Sequence, residues 1–243
     1  MAEQEKWYAR TELLLGEEGM DRLFQARIAV FGVGGVGGYV VEALARAGVG
    51  AMDLFDNDTV SETNLNRQII ALRSTLGQYK TDVAAARVRE INPAIKVNTA
   101  HLFYLPENAD TVDLSAYDYV VDAIDTVSAK MELIRRAKRL GVPIISSMGT
   151  GNKLDPTCFR VTDIEKTSVC PLARTVRGLC RREGIKKVKV LWSAEQPRRV
   201  SLPAEHGRHA PGSISFVPAA AGLCIATEVV KDLLKGSAGL KES

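Results

Sequence analysis

The apolar run RIAVFG breaks at once into the glycines Gly32, Gly34, Gly35 and Gly37, then reopens as an apolar-periodic stretch from Gly35 to Ala47. A strand that turns through glycines directly into a helix, followed by a second apolar run, AMDLFD, is a βαβ unit, and that unit fixes the fold class. The glycines let the backbone approach a ligand. The N–H groups at the start of the helix, with the positive end of its dipole, suit a phosphate. The second strand ends at Asp56, about 20 residues further on, where a carboxylate can accept hydrogen bonds from ribose hydroxyls. To this point NAD and ATP fit equally well.

The rhythm continues with a helix near TDVAAARVREIN, strands at KVNTAHL and YDYVVDAI, a helix from Ser128 to Leu140 and a strand at PIISSMG. Such alternation predicts an α/β, Rossmann-like, mostly parallel sheet with helices on both faces. After Gly151 the pattern changes. FRVTDIE is followed by a basic helix near PLARTVRGLCRREG, a strand at KVKVLWSAE, a loop rich in Gly, Pro and His, and a final strand and helix through ISFVPAAAGLCIATEVVKDLL. The organisation expected is a single domain over 1–243, with a nucleotide-binding core at 1–150 and a C-terminal α/β extension at 151–243 that meets the substrate. The tail GSAGLKES reads as frayed.

The segment DNDTVSETNLNRQ separates ATP from NAD. It crowds Asp56, Asp58, Asn64, Asn66, Arg67 and Gln68 behind the second strand, beside the glycine loop. Downstream, Lys80 precedes a helix, and Asp122 and Asp125 fall near the end of the strand in YVVDAID, at the carboxyl edge where such sheets bind ligands. A dehydrogenase needs no such cations. Transfer of AMP to a carboxylate does, because two anions must meet and charge grows on the departing pyrophosphate. Arg67 and Lys80 are therefore candidates for the phosphates, and Asp58 or Asp125 for Mg²⁺. Each has a plainer use: Arg67 as a loop anchor, Lys80 as an exposed residue before a helix, Asp125 as a helix N-cap.

The N-terminus, MAEQEKWYARTELL, lacks the positive start and apolar core of a secretory signal. No stretch approaches about 18 apolar residues, so a cytoplasmic location without a membrane partner is expected. The net charge of +3 does not by itself imply nucleic acid, but basic residues crowd the last third: Arg174, Arg177, Arg181, Arg182, Lys186, Lys187, Lys189, Arg198, Arg199 and Arg208, against Glu183, Glu195 and Glu205. This is either a solvated face or a phosphate-binding surface. The cysteines Cys158, Cys170, Cys180 and Cys224 form no C-x-x-C pair and read as free thiols. Cys170 and Cys180 lie near basic residues that could lower a thiol pKa, and Cys170 is the better of the two for reactivity, but structural or incidental use is the reading preferred for the cysteines; Cys224 reads as buried. His101, His206 and His209 make no metal constellation.

The motifs GVGGVG, DNDTVSETNLNRQ, the lysine of GQYK and the aspartates of VVDAID, in this order over 1–150, resemble the ThiF/MoeB/HesA adenylation domain shared with ubiquitin-activating enzymes. The resemblance implies ATP and Mg²⁺ as cofactors and places Gly32, Gly34, Gly35, Gly37, Asp56, Asp58, Asn64, Arg67, Gln68, Lys80 and Asp122 around the nucleotide. It puts Asp56 on the ribose, Arg67 and Lys80 on the phosphates and Asp125 on magnesium, with Asp58 and Asn64 shaping the phosphate site. Arg10 matches an arginine that reaches the ATP of a neighbouring subunit, which implies a homodimer. The segment TDIEKTSVCPLARTVRGLCRREGI is similar to the branch that dehydrates threonylcarbamoyladenosine in tRNA. That likeness makes tRNA the substrate and Arg174, Arg177, Arg181 and Arg182 the candidates for its phosphates. Three rivals stand beside it: activation of the C-terminal glycine of a ubiquitin-like sulfur carrier; from another class, an NAD-dependent oxidoreductase; and a non-catalytic adaptor that binds nucleotide and a desulfurase or tRNA without turnover. Sulfur relay in the wider family makes a cysteine desulfurase or sulfur-acceptor protein a further conceivable partner.

Overall fold

The computed structural model describes residues 6–199 and 211–236. His206, His209, Arg208, Glu205 and all but the first residue of the GSAGLKES tail lie outside them.

Seven strands form one sheet in the order β3-β2-β1-β4-β5-β7-β6. They are β1 (Arg27–Phe31), β2 (Ala51–Phe55), β3 (Lys96–Ala100), β4 (Tyr119–Asp122), β5 (Ile144–Ser147), β6 (Phe159–Asp163) and β7 (Lys189–Ser193). All neighbours pair in parallel except β6, which runs antiparallel to β7 at the edge. The sequence past Gly151 thus adds its strands to the sheet begun by the nucleotide half. Successive strands are laid outward from β1 towards β3, and the chain then returns to lay β4 on the other side of β1. This reversal opens a crevice at the carboxyl ends of β1 and β4.

The helices are α1 (Ala9–Gln25, broken at Gly16), α2 (Gly37–Ala47), α3 (Lys80–Ile91), α4 (Val127–Leu140), α5 (Pro171–Arg182) and α6 (Phe216–Leu233). Residues of α1, α2, α3 and α6 pack one apolar cluster on one sheet face, around Val30, Leu44, Leu54, Val121 and Ile225. Residues of α4 and α5 pack a second cluster on the other face, around Phe31, Val120, Leu133, Ile134 and Val176. Strands covered on both faces are buried along their length, which is why β1 and β4 carry consecutive apolar residues, IAVF and YVV, rather than alternating ones. The α/β, helices-on-both-faces expectation is met.

One predicted element is absent. The ISF segment forms no strand, and the chain runs irregularly into α6. The approach to α6 is held as a loop instead, by the Asn66 amide donating to the Ser213 carbonyl (3.0 Å) and the Gly212 N–H donating to Asn152 Oδ1 (2.6 Å).

Candidate active site

The first strand delivers its chain to the crevice through Gly32, whose φ of +87° is open to glycine and strained for other residues. A Cβ there would stand 2.7 Å from the Ala123 carbonyl oxygen, and one on Gly37 would stand 1.8 Å from the Gly32 carbonyl oxygen. Gly32 therefore lets β1 and the end of β4 close on each other, and Gly37 lets α2 pack on the loop. The Gly34, Gly35 and Val36 N–H groups precede α2, and among the described residues none finds an acceptor. Unpaired amides at a helix N-terminus form an anion site.

A cavity of about 490 Å³ opens over this loop, within the range of roughly 300–1,000 Å³ typical of small-molecule sites. Its wall takes Gly32, Gly34 and Gly35 from the loop, then Asp56, Asp58, Asn64, Arg67, Gln68 and Lys80, and Asp125 from beyond β4. The tertiary structure thus gathers most of the residues expected from sequence.

Asp56 is held from two sides, accepting from the Val33 N–H (2.7 Å) and the Asp58 N–H (2.9 Å). Lys80 is not the exposed residue of the plainer reading: it is 6% accessible, and its ammonium lies 2.6 Å from Asp58 Oδ2. A lysine as the first residue of a helix opposes the helix dipole, and its burial costs solvation. The Asp58 side chain, 60% exposed, offsets this only in part. What the placement gains is a positive field aimed into the cavity. Arg67 does anchor its loop, donating from Nη1 to the Thr63 carbonyl (2.8 Å) and Asn66 Oδ1 (3.0 Å), which leaves its other guanidinium nitrogens available. Asn64 is buried and caps its own turn, accepting from the Ser61 N–H at 3.1 Å. Asp125 is exposed on the cavity wall and does not cap α4, whose N-cap is Thr126.

Two buried polar atoms on this wall, Gln68 Oε1 and the Tyr104 hydroxyl, have no protein partner among the described residues. Burial pushes the Tyr104 phenol up to about 12, so it stays protonated. Unsatisfied buried groups are costly, and their presence beside open amides and a buried cation is what a polar ligand would relieve. A polyphosphate fits the donors among them: the open amides, Lys80 and the Tyr104 hydroxyl. No cluster of three or more acidic, His or Cys side chains able to cage a metal exists among the described residues. Asp58 and Asp125 are carboxylates on the cavity wall of the kind that would assist a magnesium ion carried mainly by phosphates.

Some expected residues fall elsewhere. Asp122 does not reach the cavity: it is wholly buried behind it, bound to Lys130 Nζ at 2.6 Å. Gly37 packs the helix rather than lining the wall. Arg10 is exposed on α1 and takes no part in this copy's cavity. Among the α5 arginines, Arg177 is committed to Thr167, donating to its carbonyl (2.8 Å) and hydroxyl (2.6 Å), whereas Arg174, Arg181 and Arg182 are exposed. Cys180 corrects the reading of a lowered thiol pKa. Cys170 and Cys180 are buried, and burial pushes Cys180 up to about 11. Cys158 is raised by its bond to Asp155, and Cys224 is only partly buried. His101 pairs with Asp82 (2.9 Å) and stacks on Tyr79. Sequence reasoning missed Phe103, Tyr104, Thr150, Ser213 and Pro218 on the wall. They come from loops after β3 and β5 and from the start of α6, and no local motif marks them.

A glycine-loop cavity with a buried lysine and flanking carboxylates at a sheet's switch point defines a nucleotide-using enzyme of the adenylating type. The family model for the ThiF family matches residues 8–242, and the chain belongs to that family. Within it, the chain is 44% identical over 240 residues, 94% of each chain, to the tRNA threonylcarbamoyladenosine dehydratase of Bacillus subtilis. It also resembles crystal structures of the E. coli tRNA N6-threonylcarbamoyladenosine dehydratase. The complex with ATP has a TM-score of 0.85 at 36% identity over 96% of both chains, and the complex with AMP a TM-score of 0.86 at 36% identity over 98% and 99%.

Proposed function

We propose that this chain is an ATP-dependent dehydratase that adenylates the carboxylate of threonylcarbamoyladenosine in tRNA and closes it into a ring. One observation carries the reading: the unpaired Gly34, Gly35 and Val36 amides meet a buried lysine at a helix N-terminus, in a chain matching a dehydratase of this name over 94% of both sequences.

In this scheme the ATP phosphates lie against those amides, Arg67 and Lys80, with Asp56 on the ribose and Asn64 and Gln68 shaping the phosphate site. Asp58 or Asp125 would help hold Mg²⁺, which would supply neutralisation of phosphate charge. An oxygen of the threonyl carboxylate attacks the α-phosphorus; an acyl–phosphate bond forms, the bond to the β-phosphate breaks, and pyrophosphate leaves with its growing charge facing Lys80 and Arg67. A nucleophile of the carbamoyl group in the same side chain then attacks the acyl carbon. The ring closes, AMP departs with the former carboxylate oxygen, and a proton passes to solvent, so the nucleoside has lost the elements of water. The tethered nucleophile makes the second step unimolecular, and no enzyme thiol is needed. Arg174, Arg181 and Arg182 take tRNA phosphates. Arg10 serves the ATP of a second copy in a homodimer, and the cytoplasm is the place of action. No helix among the described residues is long and apolar enough to cross a membrane. A cysteine desulfurase or sulfur-acceptor protein has no role in this chemistry.

The test incubates the protein with ATP, Mg²⁺ and tRNA bearing threonylcarbamoyladenosine, then weighs the digested nucleosides and assays AMP. Loss of one water with AMP release supports the reading. Unchanged nucleoside mass, with pyrophosphate exchange elicited by a ubiquitin-like carrier instead, overturns it.

A further inference from the structure

Behind the cavity lies an ion pair sealed from solvent. Lys130 of α4 and Asp122, the last residue of β4, both have side chains 0% exposed. The ammonium has three protons and meets three acceptors: Asp122 Oδ2 at 2.6 Å, Ser146 Oγ at 3.2 Å and the Ser147 carbonyl at 3.0 Å. The Ser146 hydroxyl donates to Asp122 Oδ2, and Asp122 Oδ1 accepts the Ile124 N–H at 3.1 Å. All three ammonium protons and both carboxylate oxygens are engaged.

A buried pair of this kind is weak evidence for stability, since an apolar side chain of similar volume commonly does as well or better. Nor do β4 and β5 need it to pair, because they already run in parallel register, Val120 with Ile144 through Asp122 with Ser146. The network acts where that ladder stops. It grips the Ile124 amide just beyond β4 and the Ser147 carbonyl at the end of β5. From these two points the chain runs directly into Asp125 and Thr150 on the cavity wall.

We infer that Lys130, paired with Asp122, is a positioning residue for adenylyl transfer: it ties the carboxyl ends of β4 and β5 so that the loops bearing Asp125 and Thr150 hold their places around the reacting phosphate. This rests on the adenylating function proposed above. The pair touches no substrate. It acts on the loops that carry magnesium-assisting and substrate-facing groups, while the glycine loop, Asp56 and Lys80, which would hold ATP, hang from other strands. Its loss therefore lowers turnover more than ATP affinity, because small misplacements of reacting groups are costly in rate.

The experiment removes both charges at once with Asp122→Asn combined with Lys130→Met, which leaves no buried ion unpaired and keeps an acceptor for the Ile124 N–H. AMP formation on tRNA bearing threonylcarbamoyladenosine is measured against ATP and Mg²⁺ concentration, beside the thermal midpoint. The expected result is a kcat lowered about 10- to 100-fold, a KM for ATP within about threefold and a higher Mg²⁺ requirement. Tyr117→Phe serves as a control: it cuts a buried bond to Asp53 (2.6 Å) away from the cavity and should lower the midpoint without changing kcat. An unchanged kcat in a folded double variant overturns the inference, as does a kcat loss matched by Tyr117→Phe at equal loss of stability. Should the double variant not fold, Ser146→Ala carries the same test, with a smaller kcat loss expected and an unchanged kcat overturning the idea. Inactive wild type overturns the proposed function itself, a result distinct from an active wild type beside an equally active variant.

Discussion

Two regions around the one sheet treat their charges in opposite ways. Away from the cavity, on β2 and beside the start of β7, two buried or half-buried carboxylates are closed by several partners each. Asp53 accepts from Arg27 (2.6 Å), Tyr117 (2.6 Å) and Asn98 (2.8 Å), and Asp232 from Lys189 (2.6 Å), Tyr119 (2.7 Å) and Lys235 (2.5 Å). At the carboxyl ends of the strands, among the described residues, three amides have no acceptor, Gln68 Oε1 and the Tyr104 hydroxyl have no partner, and a buried lysine is paired with a largely exposed aspartate. A satisfied polar group contributes to stability, whereas an unsatisfied one keeps its interaction for a ligand. Removing charge should therefore cost activity in one region and stability in the other.

Lys80→Ala gives the largest effect and the most direct break. Loss of a donor facing growing pyrophosphate charge should slow adenylation about 10²- to 10³-fold. The thermal midpoint should hardly move, because a lysine at a helix start opposes the dipole. A large drop in midpoint with retained turnover would make Lys80 a structural residue and dissolve the contrast. Gly32→Ala should fail on both counts. The φ of +87° and the 2.7 Å approach to Ala123 together cost roughly 3 kcal/mol in denaturant unfolding, and the displaced loop should lose ATP binding by calorimetry.

Asp232→Asn probes the closed region and should cost about 1–3 kcal/mol at neutral pH with ATP turnover unchanged. Burial pushes the Asp232 carboxyl up, but bonds from Lys189, Lys235 and Tyr119 outweigh it and hold the group below the ordinary value of 3.8. A depressed folded pKa contributes stability above the unfolded value and loses it as pH falls through the folded one. The gap in midpoint between wild type and variant should thus be full above 3.8 and shrink in more acid solution. A gap that widened there would reverse the sign of the shift.

The basic helix sharpens the comparison on the surface. Replacing Arg174, Arg181 and Arg182 by Ala should weaken tRNA binding and flatten its salt dependence by about 0.7–0.9 in slope for each phosphate no longer neutralised. Arg177→Ala should instead lower the midpoint, because it frees Thr167 from α5. The smallest effect is expected from Cys158→Ser: its thiol is raised by Asp155 and has no place in the chemistry, so AMP formation should be unchanged.

What the sequence determined by itself was whatever depends on neighbours along the chain. Strand, glycine turn, helix and terminal acid are contiguous, so the βαβ unit, the doubly covered parallel sheet and the phosphate loop were legible, as was the cationic and acidic set behind the second strand. What only the tertiary structure decided was set by packing between distant segments. Asp122 and Asp125 stand three residues apart, yet the end of β4 turns one inward to Lys130 and leaves the other on the cavity wall. Arg177 shares its helix with Arg174 and Arg181, but the Thr167 segment folds back onto it alone. ISF was expected as a strand and is none: bonds from the distant Asn66 and Asn152 hold the chain just before it as a loop, and Phe216 already opens α6. Cys170 and Cys180 lie among arginines in sequence and inside the core in space, so burial rather than neighbouring charge governs Cys180. Local pattern specifies an element and the chemistry it carries; which side of that element meets solvent, core or ligand depends on packing between residues far apart in the chain.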